Sequence, residues 1–253
     1  MKYSLCIEPI FTDYPIYERF AIAKEFGLDA VEFWNPASYE ISKLEKAANS
    51  SGLPVATMTL VDGWGVSLSD DYADIVKNVE RSIQIGKDLG CNYFIGLSGN
   101  TSSEITSQQD VISDNLKRLC ELLDKHDSVI VLEALNTTVD HKGYFLDSSK
   151  VGFDIIKNVN SPNVRLLYDI YHMQIMGDDV IQTITENIDY IGHFHSAGVP
   201  GRHELRSGDL DYTGIISCIK DTGYNKYFGL EYMPQGDHME SARSTMEYLK
   251  TLG

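Results

Sequence analysis

The 253-residue chain is poor in basic residues, with 21 Lys and Arg against 37 Asp and Glu and a net charge of −16 at pH 7. A surface of that sign repels phosphate backbones, so nucleic acid is not an expected partner. No apolar run approaches the ~20 residues that a membrane-spanning helix needs. The opening MKYSLCIEPIF reaches Glu8 before a signal-peptide core develops, so a cytoplasmic protein without membrane association is expected. The four cysteines, Cys6, Cys91, Cys120 and Cys218, include no CxxC pair, which argues against a structural zinc site and reads instead as buried free thiols. Prolines number only seven and no Ser/Gly-rich or charge-block linker interrupts the chain, so residues 1–253 are expected to form one domain. The segment EPIFTDYP after the first apolar run lacks glycine, whereas a doubly wound nucleotide-binding sheet normally carries a glycine-rich phosphate loop there.

What is present is a regular alternation. Short apolar runs predict strands over residues 3–8, 30–33, 55–60, 92–96, 129–133, 164–169, 190–195 and 227–231. Amphipathic patterns predict helices over 16–26, 41–50, 72–89, 104–126, 148–159, 180–187, 213–222 and 238–252, with Asp147 or Ser148 capping the fifth. Eight strand-helix units in a chain of this length predict a single (β/α)8 barrel, a fold of ~250 residues whose chemistry sits at the C-terminal ends of its strands. The long connections 60–71, 136–147 and 196–211 would lie on that face and could cover a small substrate.

Four consecutive strand ends carry a potential metal ligand. VIVLE ends at Glu133, VRLLYD at Asp169, YIGHFH at His195 and YFGLE at Glu231, spaced by 36, 26 and 36 residues. Each interval accommodates one helix and one strand, which would put all four side chains at the same end of the barrel. Three carboxylates and one imidazole form a hard site suited to Mg²⁺ or Mn²⁺ and, through the nitrogen, to Co²⁺. Zn²⁺ also fits but usually brings more His or Cys. Without a cation the three carboxylates would repel one another and at least one would take up a proton. With one, a substrate carbonyl and its neighbouring hydroxyl would be polarised, and Glu133 and Glu231 could remove and return a proton from opposite sides. That arrangement suits isomerisation of a small hydroxy-carbonyl compound through an enediolate.

The stretches NVRLLYDIYHMQIMGDD, IGHFHSAGVPGRHE, SGDLDY and LEYMP closely resemble hydroxypyruvate isomerases of the xylose-isomerase-like barrel superfamily, which also includes ketose 3-epimerases, inosose dehydratases and zinc endonucleases. A weaker likeness extends through FTDYPIYERFAIAKEFGLDAVEFW and EALN. The resemblance implies that Glu133, Asp169, His195 and Glu231 bind one divalent ion, that Glu133 and Glu231 are the acid/base pair, and that His172 and Arg202 hold substrate oxygens. It implies hydroxypyruvate and tartronate semialdehyde as substrate and product, and it suggests a homodimer. Two departures bear on substrate choice. His195 stands where hydroxypyruvate isomerases carry the glutamine of an HxQ element and where 3-epimerases carry histidine, and RHELRSGDLDY replaces RHEPGTGEINY. The alternative activity is therefore ketose 3-epimerisation on the same site, ahead of a lyase, a DNA-repair nuclease or a non-catalytic sugar-binding barrel.

The neighbouring residues read as follows. His193 shares a strand face with His195 but is assigned to packing. Glu8 and Glu32 end the first two strands and are left outside the site. Trp34, Trp64 and Tyr168 are candidates for a water-excluding wall, with ordinary core as the alternative. Asn136 either orients Glu133 or caps its own loop. Asp13, Asp62 and Asp140 are assigned to solvated loops, and His203 and Glu204 have no assigned role.

Overall fold

Short, buried, β-branched strands separated by helices with one apolar face can satisfy both faces of a parallel sheet only if helices cover the outside and side chains fill the inside. The computed structural model, which describes residues 1–252, shows this arrangement. Strands β1 (Lys2–Cys6), β2 (Ala30–Phe33), β3 (Val55–Thr59), β4 (Tyr93–Gly96), β5 (Val129–Glu133), β6 (Val164–Asp169), β7 (Ile191–Ser196) and β8 (Tyr227–Leu230) pair in sequence order, all parallel, and β8 returns to β1 to close the barrel. Around it run α1 (Ile16–Glu25), α2 (Ile41–Ser51), α3 (Tyr72–Leu89), α4 (Gln108–Lys125), α5 (Ser149–Val159), α6 (Ile170–Ile175), α7 (Val180–Asn187), α8 (Tyr212–Asp221) and α9 (His238–Thr251).

Local chemistry sets most boundaries. Gly52 and Gly90 adopt left-handed conformations that end α2 and α3, where a side chain would be strained. Ser148, not Asp147, caps α5 by accepting from the Val151 N–H, while Asp147 accepts from the Thr137 hydroxyl at 2.8 Å. A side-chain cap of this kind contributes about 1 kcal/mol. Helix α4 begins four residues later than its apolar pattern predicts, because Ser107 accepts from the Asp110 N–H and starts the helix there. Helix α6 is absent from the sequence prediction. It is only six residues long and begins directly on the last residue of β6, whose Asp169 carboxylate accepts from the His172 N–H at 3.1 Å.

Strand alternation sends neighbouring residues to opposite faces. On the outer face of the barrel Tyr168 packs between Phe153 of α5 and Phe194 of β7, with ring centroids 6.4 and 6.3 Å away, and its hydroxyl donates to Asp178. Tyr168 is thus core, not a wall of the site. Burial of each such aromatic contributes on the order of 1.5–3 kcal/mol. Cys6 and Cys91 are buried thiols as expected, whereas Cys120 and Cys218 are only half-buried. Among the described residues no helix is long and apolar enough to cross a membrane.

Candidate metal centre and active site

Parallel pairing brings the predicted ligands together. Asp169 lies beside His195 in the β6–β7 register, and Glu231, the first residue after β8, donates its N–H to the Ser196 carbonyl at 3.0 Å. Glu133 closes β5. One ligand atom from each of Glu133, Asp169, His195 and Glu231 lies within 4.8 Å of the other three, and all four residues are buried. Nδ1 of His195 is 3.4 Å from Glu133 Oε1 and 3.4 Å from Glu231 Oε2, and it has no hydrogen-bond partner. A buried, unpartnered imidazole nitrogen facing three carboxylates is a donor set that could hold a divalent cation.

The electrostatics agree with that reading. Burial pushes the Glu133 carboxyl up to about 7; His195 offsets that rise only in part, and repulsion from Glu231 and Asp169 adds to it. Asp169 is raised by burial, and Arg202 relieves it incompletely against Glu231. Glu231 is buried too, yet it lies well below the usual carboxylate range, because His195 and Arg202 supply positive charge and the Trp34 indole donates to it. Desolvation opposes charging of His195, but Glu231 and Glu32 overcome it and raise the imidazole well above its ordinary value.

Arg202 reaches the site from the β7 connection. Its N–H bonds the Gly198 carbonyl at 2.9 Å, and the turn is closed by Gly198 N–H to His203 carbonyl at 2.8 Å. The residue sits in the left-handed region, at φ 58°, a conformation that costs a non-glycine residue about 1 kcal/mol or more and is characteristic of functional loops. Its guanidinium donates directly to Glu231 Oε2, while its buried Nε has no partner. His203 and Glu204 tie this loop to the segment after β8: His203 Nδ1 donates to the Met233 carbonyl at 2.9 Å, and Glu204 accepts from Gln235 N–H at 3.0 Å.

His172 is fully buried under the site. Its Nδ1 accepts from the side-chain amide of Asn136 at 2.7 Å and from the Asn136 backbone N–H at 3.3 Å, so Nε2 carries the hydrogen. That Nε2 lacks a hydrogen-bond partner and lies 3.6 Å from Asp169 Oδ2. Burial and the Arg202 charge lower the His172 pKa well below its ordinary value, leaving a neutral imidazole. Asn136 does not touch Glu133. Its carbonyl oxygen caps its own loop through Val139 and Asp140 N–H groups. Asp140 belongs to the same network, accepting from Asn136 at 2.7 Å and from the Tyr171 hydroxyl at 2.8 Å, rather than to a freely solvated loop.

Above the centre a cavity of about 650 Å³ is lined by Trp34, Trp64, Glu133, His141, Arg202 and Glu231 among others. Asp169, His172 and His195 lie behind these residues rather than on the cavity wall. The β3 and β5 connections, both expected on this face, supply Trp64 and His141, whose rings stack 5.4 Å apart at 18°. Trp64 remains 64% exposed at the mouth, and Asp62 lines the cavity beside it.

Sequence reasoning underrated three groups. Glu32 accepts from both His193 Nε2 at 3.0 Å and His195 Nε2 at 2.8 Å, so His193 is a polar partner and not simple packing. Glu8 accepts from the Trp34 backbone N–H and from the Tyr39 hydroxyl at 2.5 Å, which places the Trp34 indole on Glu231 Oε1. The signal for both glutamates was an acidic residue ending an otherwise apolar strand, the same signal that marked Glu133 and Glu231.

Residues 20–252 match the sequence pattern of the xylose isomerase-like TIM barrel family. Hydroxypyruvate isomerase of Escherichia coli (strain K12) is 29% identical over 93% of this chain and 94% of that protein. The 2-oxo-tetronate isomerase of Pectobacterium atrosepticum is 27% identical over 93% of each chain. Among solved structures, one described as AP endonuclease, family 2 from Brucella melitensis superposes with a TM-score of 0.91 over 98% of this chain and 99% of that one, at 26% identity.

Proposed function

Since the chain belongs to the xylose isomerase-like TIM barrel family, we propose that it is a divalent-metal-dependent isomerase of a small hydroxy-carbonyl compound of the hydroxypyruvate or tartronate semialdehyde type. The observation that carries this reading is the placement of Glu133 and Glu231, each 3.4 Å from an unpartnered His195 Nδ1, with opposite tendencies to hold a proton. Relatives named hydroxypyruvate isomerase and 2-oxo-tetronate isomerase along nearly the whole chain support the same class.

Glu133, Asp169, His195 and Glu231 would hold the ion, which when bound polarises a carbonyl and the adjacent hydroxyl and so acidifies the C–H between them. Glu231, kept ionised by Arg202 and Trp34, takes that proton and leaves an enediolate. Glu133 would return a proton to the neighbouring carbon while a hydroxyl proton passes between the two substrate oxygens, and exchange with solvent would restore both glutamates to their starting protonation. Arg202, on the cavity wall, would offer its unpartnered Nε–H to a substrate oxygen, whereas His172 lies behind that wall with its Nε2–H 3.6 Å from Asp169 Oδ2. Trp34 and Leu135 on the cavity wall keep water from the enediolate.

Ketose 3-epimerisation is the second reading. It needs the same two glutamates, and a cavity of about 650 Å³ has room for a longer substrate than a three-carbon acid. A nuclease would have to attract a phosphate backbone, which the net charge of −16 opposes.

The test is solvent-deuterium incorporation, followed by NMR, into hydroxypyruvate, tartronate semialdehyde, fructose and tagatose with added Mn²⁺, Mg²⁺ or Co²⁺. Metal-dependent exchange lost in Glu133→Gln and Glu231→Gln is the expected result, and the product separates isomerase from epimerase. Absence of exchange into every substrate by metal-loaded protein would overturn the enediolate reading.

A further inference from the structure

Glu32 is the buried charged residue that the proposed chemistry leaves without a task. It is 2% exposed on β2, and among the described residues no arginine or lysine pairs with it. Its two oxygens instead serve two imidazoles. Oε2 is 2.8 Å from His195 Nε2 and Oε1 is 3.0 Å from His193 Nε2. The two rings, two residues apart on β7 and therefore on one face, meet edge to face at 5.1 Å and 84°, so both present Nε2 to one carboxylate. The neighbouring strand makes room for this arrangement. A Cβ on Gly229, the β8 residue opposite His195, would lie 2.7 Å from His195 Cδ2 and 2.8 Å from Glu32 Oε1.

A carboxylate only accepts hydrogen bonds, so the His195 nitrogen facing Glu32 must carry the hydrogen. Nδ1, the nitrogen facing Glu133 and Glu231, is then the one that can give up its hydrogen and offer a lone pair to a cation. Because His193 occupies the other oxygen, the Glu32 carboxylate cannot rotate away from this role without losing a buried hydrogen bond. Glu32 contributes no atom to the four-residue ligand group. We propose that Glu32, clamped by His193, is a positioning residue that sets the His195 ring and its Nε2–H tautomer so that Nδ1 ligates the divalent ion. This rests on the reading of Glu133, Asp169, His195 and Glu231 as a cation site. Partners of metal-bound histidines typically govern metal affinity by 10- to 100-fold.

Mn²⁺ titration of metal-stripped protein provides the first readout, and long-range ¹H–¹⁵N NMR of the imidazoles in Mg²⁺-loaded protein provides the second. One Mn²⁺ per chain is expected, with binding weakened 10- to 100-fold in Glu32→Gln and in His193→Leu, and nearly restored in His193→Gln, whose amide can still donate to Glu32. The wild-type spectrum should show His195 protonated at Nε2. His195 protonated at Nδ1 in the Mg²⁺-loaded wild type would overturn the proposal without any variant, whatever Glu32→Gln does to folding. So would wild-type affinity in a folded Glu32→Gln, or a second Mn²⁺ per chain that His193→Leu abolishes, since Glu32, His193 and His195 would then be ligands themselves. His195→Ala separates the underlying reading: if it binds Mn²⁺ as tightly as the wild type, the cation site itself is misassigned.

Discussion

Glu133 and Glu231 stand the same 3.4 Å from His195 Nδ1, yet their surroundings drive them to opposite protonation states. Burial pushes both carboxyls up. Only Glu231 receives the Arg202 guanidinium and the Trp34 indole, which together with His195 bring it well below the ordinary range. Glu133 has His195 alone for help and stays near 7. The opposite tendencies of the two carboxyls to hold a proton thus follow from which neighbours each strand end meets, and they suit the proposed acid and base roles.

This asymmetry makes the metal-free protein sensitive to pH. The folded state holds a proton on Glu133 up to about pH 7, against an ordinary value of 4.5. The stability it contributes is therefore complete below pH 4.5 and lost as pH rises through about 7. Urea unfolding in chelator at pH 5 and pH 8 should show wild type losing about 2–3 kcal/mol more than Glu133→Gln over that interval. Added Mn²⁺ should stabilise wild type more at pH 8 than at pH 5, because the ion competes with the Glu133 proton. Equal pH slopes in the two proteins would rule out Glu133 as the responsible group.

Trp34 tests the other half of the pair. In Trp34→Phe an aromatic ring and the backbone N–H to Glu8 remain, while the indole donor to Glu231 is lost. A hydrogen bond to a charged group contributes about 1.5–3 kcal/mol, so kcat should fall roughly 10- to 100-fold with little change in KM. The acid limb of the kcat profile should move to higher pH as Glu231 becomes easier to protonate. A normal kcat profile would show that Glu231 does not depend on the indole.

Trp64 is predicted to act on binding alone. It is 64% exposed and stacks on His141 at the cavity mouth, so Trp64→Ala should leave stability within about 0.5 kcal/mol. If the stacked pair is a platform for substrate, KM should rise up to about 10-fold while kcat holds, consistent with aromatic contacts of about 0.5–1.5 kcal/mol. An unchanged KM would leave the pair as part of the rim with no hold on substrate.

Much of the architecture was legible because it is written in local periodicity. Residues 30–33, 129–133 and 164–169 were predicted as strands and are strands to the residue. Their apolar runs are bounded by turn residues, and the helices between them end at glycines such as Gly52 and Gly90. The four ligand candidates were legible for a related reason. A parallel barrel points every strand's C-terminal end the same way, so a recurring acid or histidine at that end carries positional information even without coordinates.

What the sequence by itself determined is therefore the fold and the identities of the residues at the strand ends. Tertiary structure decided how those residues are used. Glu32 and His195 are 163 residues apart and meet only because the β8–β1 pairing closes the barrel and brings β2 and β7 around to a shared interior. Asn136 turns to His172 and not to Glu133, and Asp140 joins it, because α6 starts at Asp169 and brings the His172 ring under the β5 connection. Periodicity reports which face of a strand a residue occupies. The hydrogen-bond partner that sets a tautomer or a protonation state depends on distances across the barrel, and those exist only once it has closed.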